Sequence, residues 1–368
     1  MKIVKATAIG VLSLSGAAFA QSNVTIYGVI DAAYVYTSGH DAAGKSSHFN
    51  GVVAGGLAGS RLGFRGEESL GNGLSAIFTL EYAINNDDNS GVGTGATANP
   101  GTLARQQFVG LKGNWGALTL GRQYAPGFLS TVKNDASGGA LWSPQAMLAA
   151  FSGSTFVPGN PARINNSVAY KSPNLSGMVF DVIYGYGENV GAGTSRTDDG
   201  FMGVGVNYGS GPLNVDLAWQ SRQNRAKVGG GRDDINEWFL GASYDFKVVK
   251  LFGSYQTADD KTNPAANADF DIFNVGVGVP VTANGVVNLS WAGYRPDKGS
   301  NNESSAWNLG YVHALSKRTK LYTGYTRVSN DSGSVPARMI TTSAALAGNA
   351  SGTAGDNSTF YAGINHSF

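Results

Sequence analysis

Leu213-Asn214-Val215-Asp216-Leu217-Ala218-Trp219-Gln220 alternates apolar residues with small or polar ones at a period of two, the pattern of a strand with two unlike faces. Working outward from it, the same period recurs. Trp238, Leu240, Ala242, Tyr244 and Phe246 alternate with Glu237, Phe239, Gly241, Ser243 and Asp245. Leu74, Ala76, Phe78, Leu80 and Tyr82 alternate with Ser75, Ile77, Thr79 and Glu81. These runs reach about ten residues, against the usual five or six of a globular strand. About ten residues is the length a tilted strand needs to cross a bilayer.

Composition agrees with this reading. The 368 residues include 53 Gly, 11 % aromatics and no Cys, and only 14 % of them are charged. Gly is about twice its average usage and charge little more than half, which excludes a disordered chain, since those are charge-rich and poor in aromatics. The glycines show no period of three, so collagen is excluded. No stretch approaches the roughly 18 consecutive apolar residues of a membrane-spanning helix. A formal charge of +1 gives no reason to expect a nucleic-acid partner. Only 42 % of residues are hydrophobic, as expected when one residue in two faces lipid and the next faces water.

Connections alternate in length. Leu70–Gly73, Gly113–Gly116, Ser172–Leu175, Gly209–Pro212, Thr282–Gly285 and Ser316–Thr319 read as tight turns. Between them lie long polar segments: Ser38–Leu57, Asn85–Ala104, Tyr124–Ala162, Glu188–Asp199, Gln223–Asp233, Ala258–Asn267, Asp297–Asn302 and Asn330–Asp356. Long external loops and short periplasmic turns characterise outer-membrane barrels. The count around them is sixteen antiparallel strands, the size class that encloses an aqueous channel. In hydrocarbon every backbone N–H and C=O must be paired, so such a sheet has to close on itself.

Met1–Ala20 has the parts of a secretory signal: Lys2 and Lys5, an apolar stretch from Ala6 to Leu14, and Ala18-Phe19-Ala20 before Gln21. Residues 21–368 then form one mature barrel, exported to the outer membrane of a Gram-negative cell and held together without disulfides.

Four segments carry a family resemblance: QSNVTIYGVIDAAYVY (21–36), SRLGFRGEESLGNGLSAIFTLEY (60–82), RQQFVGLKGNWGALTLGRQY (105–124) and the terminal GINHSF (363–368). The chain resembles the general diffusion porins of Gram-negative outer membranes, and is most similar to the trimeric porins of β-proteobacteria. The resemblance implies a sixteen-stranded barrel, a homotrimer and a water-filled channel for small polar solutes and ions. It also implies that the third external loop, 124–162, folds into the lumen. Phe368 matches the signal read by the barrel-assembly machinery.

Alternation assigns the faces, because a lipid-facing Arg or Lys near the midplane costs about 2–4 kcal/mol. Leu62 and Phe64 then face lipid, and Arg61, Arg65 and Glu67 face the lumen. Glu81 points inward, as do Tyr27, Val29 and Asp31, and Arg105 and Gln107 share a face opposite Phe108. The resemblance sharpens this: Arg61, Arg105 and Arg163 match the family's basic wall cluster, with Glu81 beside it. Arg65 and Arg122 are further basic candidates, and Asp31 and Asp135 further acidic ones. The third loop lacks the acidic stretch common in enterobacterial relatives, and its one acid is Asp135, beside Lys133. Bases outnumber acids, so weak anion preference or near neutrality is expected.

Other chemistry finds little footing. The four histidines, His40, His48, His313 and His366, form no metal-ligand spacing, and no cofactor or catalytic residue is expected. Gly203 and Gly205 lack the helix that a dinucleotide loop requires. Asn86–Gly91 lacks the bidentate Glu of a calcium loop. A substrate-specific channel would need a continuous aromatic track in the lumen, and a lipolytic enzyme an activated Ser beside a His such as His366. A surface receptor or adhesin built on the long loops could coexist with transport.

Overall fold

The computed structural model describes residues 23–40, 46–88, 104–149, 154–156, 162–188, 195, 197–262, 269–297, 303–331 and 356–368. Residues 1–20, expected from the sequence to be an export signal, and much of the long segments at 85–104 and 330–356 lie outside the described residues. The described elements are seventeen antiparallel strand segments, β1 (Asn23–His40) to β17 (Asn357–Ser367), and two short helices, α1 (Pro126–Lys133) and α2 (Pro144–Ala149). Two of the strand segments share one place in the wall. The first half of β1 pairs with β3 (Arg61–Gly71), Val29 opposite Arg61, and the second half pairs with β2 (Ser46–Ala54), Ala32 opposite Ala54. Seventeen segments thus fill sixteen positions. β17 closes the ring on β1 in an unbroken register from Val29↔Ser367 to Gly39↔Asn357, leaving no free edge among the described strands.

The terminal residue locks the closure. Phe368 N donates to Gly28 O at 3.1 Å, and Gly28 N donates to Phe368 O at 3.2 Å. A side chain at Gly28 would lie 2.3 Å from the Phe368 ring, so this glycine makes room for the chain end.

The barrel is apolar on the outside. Ile26, Val109, Leu120, Leu240 and Val275 are each about half exposed, in phase along their strands, while polar residues such as Gln220, Gln256, Asn274 and Asn308 line the interior. The segment expected as the first long loop, Ser38–Leu57, is largely strand where it is described. β1 runs on to His40 and the chain returns as β2, because Val35, Thr37 and Val53 keep alternating to buried positions. The chain leaves the wall again over residues 55–60, starting at Gly55 with a φ of +72°, a region that favours glycine.

The segment between β6 (Gly116–Tyr124) and β7 (Arg163–Lys171) packs against inward faces of the wall. Gly127 N donates to Gln220 at 2.8 Å, and Asn134 Nδ2 donates to Asp216 at 2.8 Å. Ser137 Oγ lies 2.9 Å from Ser290 Oγ, and Leu141 N reaches Gly56 O at 2.9 Å. Trp142, Met147 and Leu148 bury themselves among Val35, Ile272, Ala292, Tyr322 and Tyr361, each such side chain contributing about 1.5–3 kcal/mol. Inner-face glycines leave the space: a side chain at Gly205 would stand 2.7 Å from Pro126, and one at Gly276 2.6 Å from Ala136. The Gly203–Gly205 pair is therefore strand β9 (Gly200–Ser210) accommodating α1.

Candidate functional site: an arginine cluster on the inner wall

Four strands of one side of the wall bring the cluster together. β3 carries Arg61 and Arg65, β4 (Leu74–Ala83) carries Glu81, β5 (Ala104–Gly113) carries Arg105, and β7 opens with Arg163. Glu81 is its centre and is 4 % exposed. Its Oε1 accepts from Arg105 Nε at 2.7 Å, and its Oε2 lies 3.5 Å from Arg61 Nε. Two tyrosines complete the shell. Tyr27 donates to Glu81 Oε2 at 3.0 Å, and Tyr124 Oη accepts from Arg105 Nη2 at 2.9 Å. Each ring also carries a guanidinium over its face, Arg65 at 5.3 Å from the Tyr27 centroid and Arg163 at 5.1 Å from the Tyr124 centroid.

Four guanidinium groups thus surround one carboxylate, so the cluster is strongly positive. The like charges coexist because the tyrosine faces present negative π density and Glu81 sits between Arg61 and Arg105. Arg61 and Arg105 keep 26 % and 15 % of their side-chain surface open. Of the residues read from the sequence, Arg61, Arg65, Arg105, Arg163 and Glu81 come together.

Three others do not join them. Asp31 is wholly buried, and its carboxylate anchors the inward excursion. It accepts from Leu57 N at 3.2 Å, Ala58 N at 3.1 Å, Asn365 Nδ2 at 2.7 Å and Tyr322 Oη at 2.5 Å. Asp135 is likewise spent on its own turn, its two oxygens accepting from Ser137 N at 3.0 Å and Gly139 N at 2.9 Å. Burial pushes this carboxyl above its ordinary range, and the hydrogen bonds from Ser143 and from the Gly139 and Ser137 amides offset that only in part. Arg122 lies on the other face. Its partner is Gln107, which pairs in turn with outward-facing Leu80. The Arg122 guanidinium bonds Ala104 O at 2.8 Å, Arg163 O at 3.2 Å and Asn165 Oδ1 at the strand ends.

Arg105 also corrects the reading of its strand. A register shift between Glu81 and Tyr82 places Gln106 opposite Glu81 and Ala104 opposite Tyr82, leaving Arg105 as the extra residue. A bulge of this kind re-aims a side chain. Arg105 turns inward, Phe108 joins the inner face opposite Thr79, and Gln107 falls on the outer one.

Sequence reading missed the residues on the far wall that hold the inward segment. Asp216 accepts from Asn134 and lies 3.4 Å from Lys133 Nζ. Glu237 accepts from Thr155 N at 3.0 Å and from the Thr155 hydroxyl, with Arg222 Nε 3.9 Å away. Alternation puts both acids inside, but what they bind depends on where the inward segment lies. Tyr124 and Phe128, stacked with centroids 4.4 Å apart, are visible in the sequence only as aromatics near a strand end.

The geometry is that of a barrel with a charged inner wall and a segment packed against its inner face, and known proteins share the fold. The Gram-negative porin family matches residues 6–333. "Outer membrane porin protein 32" of Delftia acidovorans is 35 % identical over 315 residues, covering 86 % of each chain. An outer membrane porin protein of Bordetella pertussis is 30 % identical over 357 residues, covering 84 % of this chain and 89 % of the relative. The solved "Anion-selective porin from Comamonas acidovorans" superposes with a TM-score of 0.79 at 32 % identity, covering 95 % of this chain and 100 % of that one. This chain belongs to the Gram-negative porin family and is an outer-membrane channel through which small hydrophilic solutes and ions diffuse passively.

Proposed function

We propose that the channel prefers anions, and that Arg61, Arg65, Arg105 and Arg163 form the basic side of its narrowest passage. The observation that carries this is the fate of the acids. Asp31, Asp135, Asp216 and Glu237 are no more than 4 % exposed, each committed to anchoring an inward segment. Of the pairs on the far wall, Lys133 and Arg222 remain the more open members, at 44 % and 22 %. Ions in the lumen thus meet guanidinium and ammonium groups sooner than carboxylates. In a passage walled by low dielectric, such a surface favours anions.

The sense of the proposal is tested by the reversal potential of the purified protein in a planar bilayer under a KCl gradient. Anion preference sets its sign on the chloride side, and a strong cation preference would reject the reading. The same records bear on assembly. We infer a homotrimer, as the resemblance of the sequence implies, and current steps in groups of three are the expected outcome. Export by a signal ending at Ala20 and recognition of Phe368 by the barrel-assembly machinery belong to the same reading. No catalytic role is assigned to any residue.

A further inference from the structure

Tyr124 occupies an unusual position. Its hydroxyl accepts from Arg105 Nη2 at 2.9 Å and lies 3.5 Å from Glu81 Oε1. Arg163 covers the ring at 5.1 Å from its centroid, and Phe128 of α1 stacks on it at 4.4 Å with 22° between the planes. One side chain therefore touches two of the cluster's arginines, its carboxylate and the helix of the inward segment. We propose that Tyr124 is the positioning residue that sets the selectivity of the channel, fixing Arg105 and Arg163 side by side and tying both to α1. This rests on the anion preference proposed above and adds which residue positions two of the charges behind it.

Two guanidinium groups held close repel each other, and long side chains have many rotamers in which to separate. Glu81 restrains Arg105 through its Nε. Tyr124 meets Arg163 through its ring face. A cation over a tyrosine is held electrostatically, but only if the ring itself cannot turn. Phe128 supplies that restraint. Through it the backbone position of α1, fixed by Gly127 N to Gln220, determines where the two charges stand. The charge presented by the wall thus follows the seating of a helix on the inward segment.

The test measures the anion-to-cation permeability ratio of the full protein in planar bilayers, together with its heat-modifiability on a gel. Tyr124→Leu removes ring and hydroxyl and is expected to lower the ratio by a factor of about two. Tyr124→Phe keeps both stacked faces and falls between it and the unmodified protein. Phe128→Ala touches no charge and shifts the ratio in the same direction as Tyr124→Leu, which covers the case in which Tyr124→Leu does not fold. A purely structural role would lower the temperature of heat modification and leave the ratio of the folded pores unchanged, and that result overturns the proposal. An unmodified protein without anion preference would instead reject the reading on which it rests.

Discussion

The indole of Trp142 lies flat against the ring of Tyr361, with centroids 3.7 Å apart and planes 10° from parallel. One residue belongs to the inward segment and the other to the closing strand, and Tyr322 packs on the same indole at 5.1 Å. The stack therefore pins the middle of the inward segment to the seam of the barrel.

Removing it should loosen the segment without opening the wall. Trp142→Ala deletes a side chain that is 3 % exposed, a change that usually costs about 3–5 kcal/mol. The strand ladder does not involve Trp142, so the barrel persists. We expect larger single-channel conductance with more current noise. Records indistinguishable from those of the unmodified protein would show that the stack does not hold the segment in place.

Asp31 offers a sharper chemical test. Four donors converge on its carboxylate: two backbone amides, the Asn365 amide and the Tyr322 hydroxyl. Asp31→Asn replaces one acceptor by an NH2 group that must face at least one of those donors. A buried donor without an acceptor costs about 1–3 kcal/mol. The temperature of heat modification should fall, and the excursion at residues 55–60 should become accessible to protease in detergent. An unchanged midpoint would mean that the excursion holds its position by other contacts.

Much of this architecture is legible in the sequence because it follows from a single period. Alternation places Ile26, Leu62, Leu80 and Trp238 on the outside and Tyr27, Arg61 and Glu81 on the inside. It fails where the backbone adds a residue. The bulge at Arg105 inverts the faces of Gln107 and Phe108, and no composition signal marks it. Arg122 is misplaced for a related reason. Cost alone argues against an arginine on the outer face, yet near a strand end carbonyls and an amide satisfy it. The roles of Asp31, Asp135, Asp216 and Glu237 are out of reach, because each holds a partner 2 to 82 positions away in a segment that lacks the period of two.

Asp135 makes a prediction about pH. Burial raises its carboxyl above the ordinary range, so the folded protein binds this proton more tightly than the unfolded chain does. Stability from this group is present below the ordinary carboxylate pKa of about 3.9 and is lost as pH rises through the higher folded value. At neutral pH the ionised group is therefore a cost that the Ser137 and Gly139 amides only partly offset. Asp135→Asn should flatten the fall in stability between mildly acidic and neutral pH. The comparison is the difference in melting temperature between variant and parent as pH is varied. Parallel profiles would reject the assignment.

Glu81 decides how far the cluster's charge is moderated. Among the described residues it is the carboxylate that pairs with both Arg61 and Arg105, and Glu81→Gln removes its charge with little change of shape. Two effects should follow. The paired arginines lose their counter-charge, which in a fully buried pair costs about 3–5 kcal/mol. Here both keep contact with solvent, so we expect about 1–3 kcal/mol and a folded barrel. The reversal potential should move further to the anion side, because the guanidinium groups of the cluster then act without opposition from Glu81. Salt provides the internal control. The screening length falls from about 10 Å at 0.1 M to about 3 Å at 1 M, so the gap in selectivity between variant and parent should narrow as both compartments are made more concentrated. A gap that persists at high salt would point to altered pore shape, and the absence of any gap would place Glu81 outside the path of the ions.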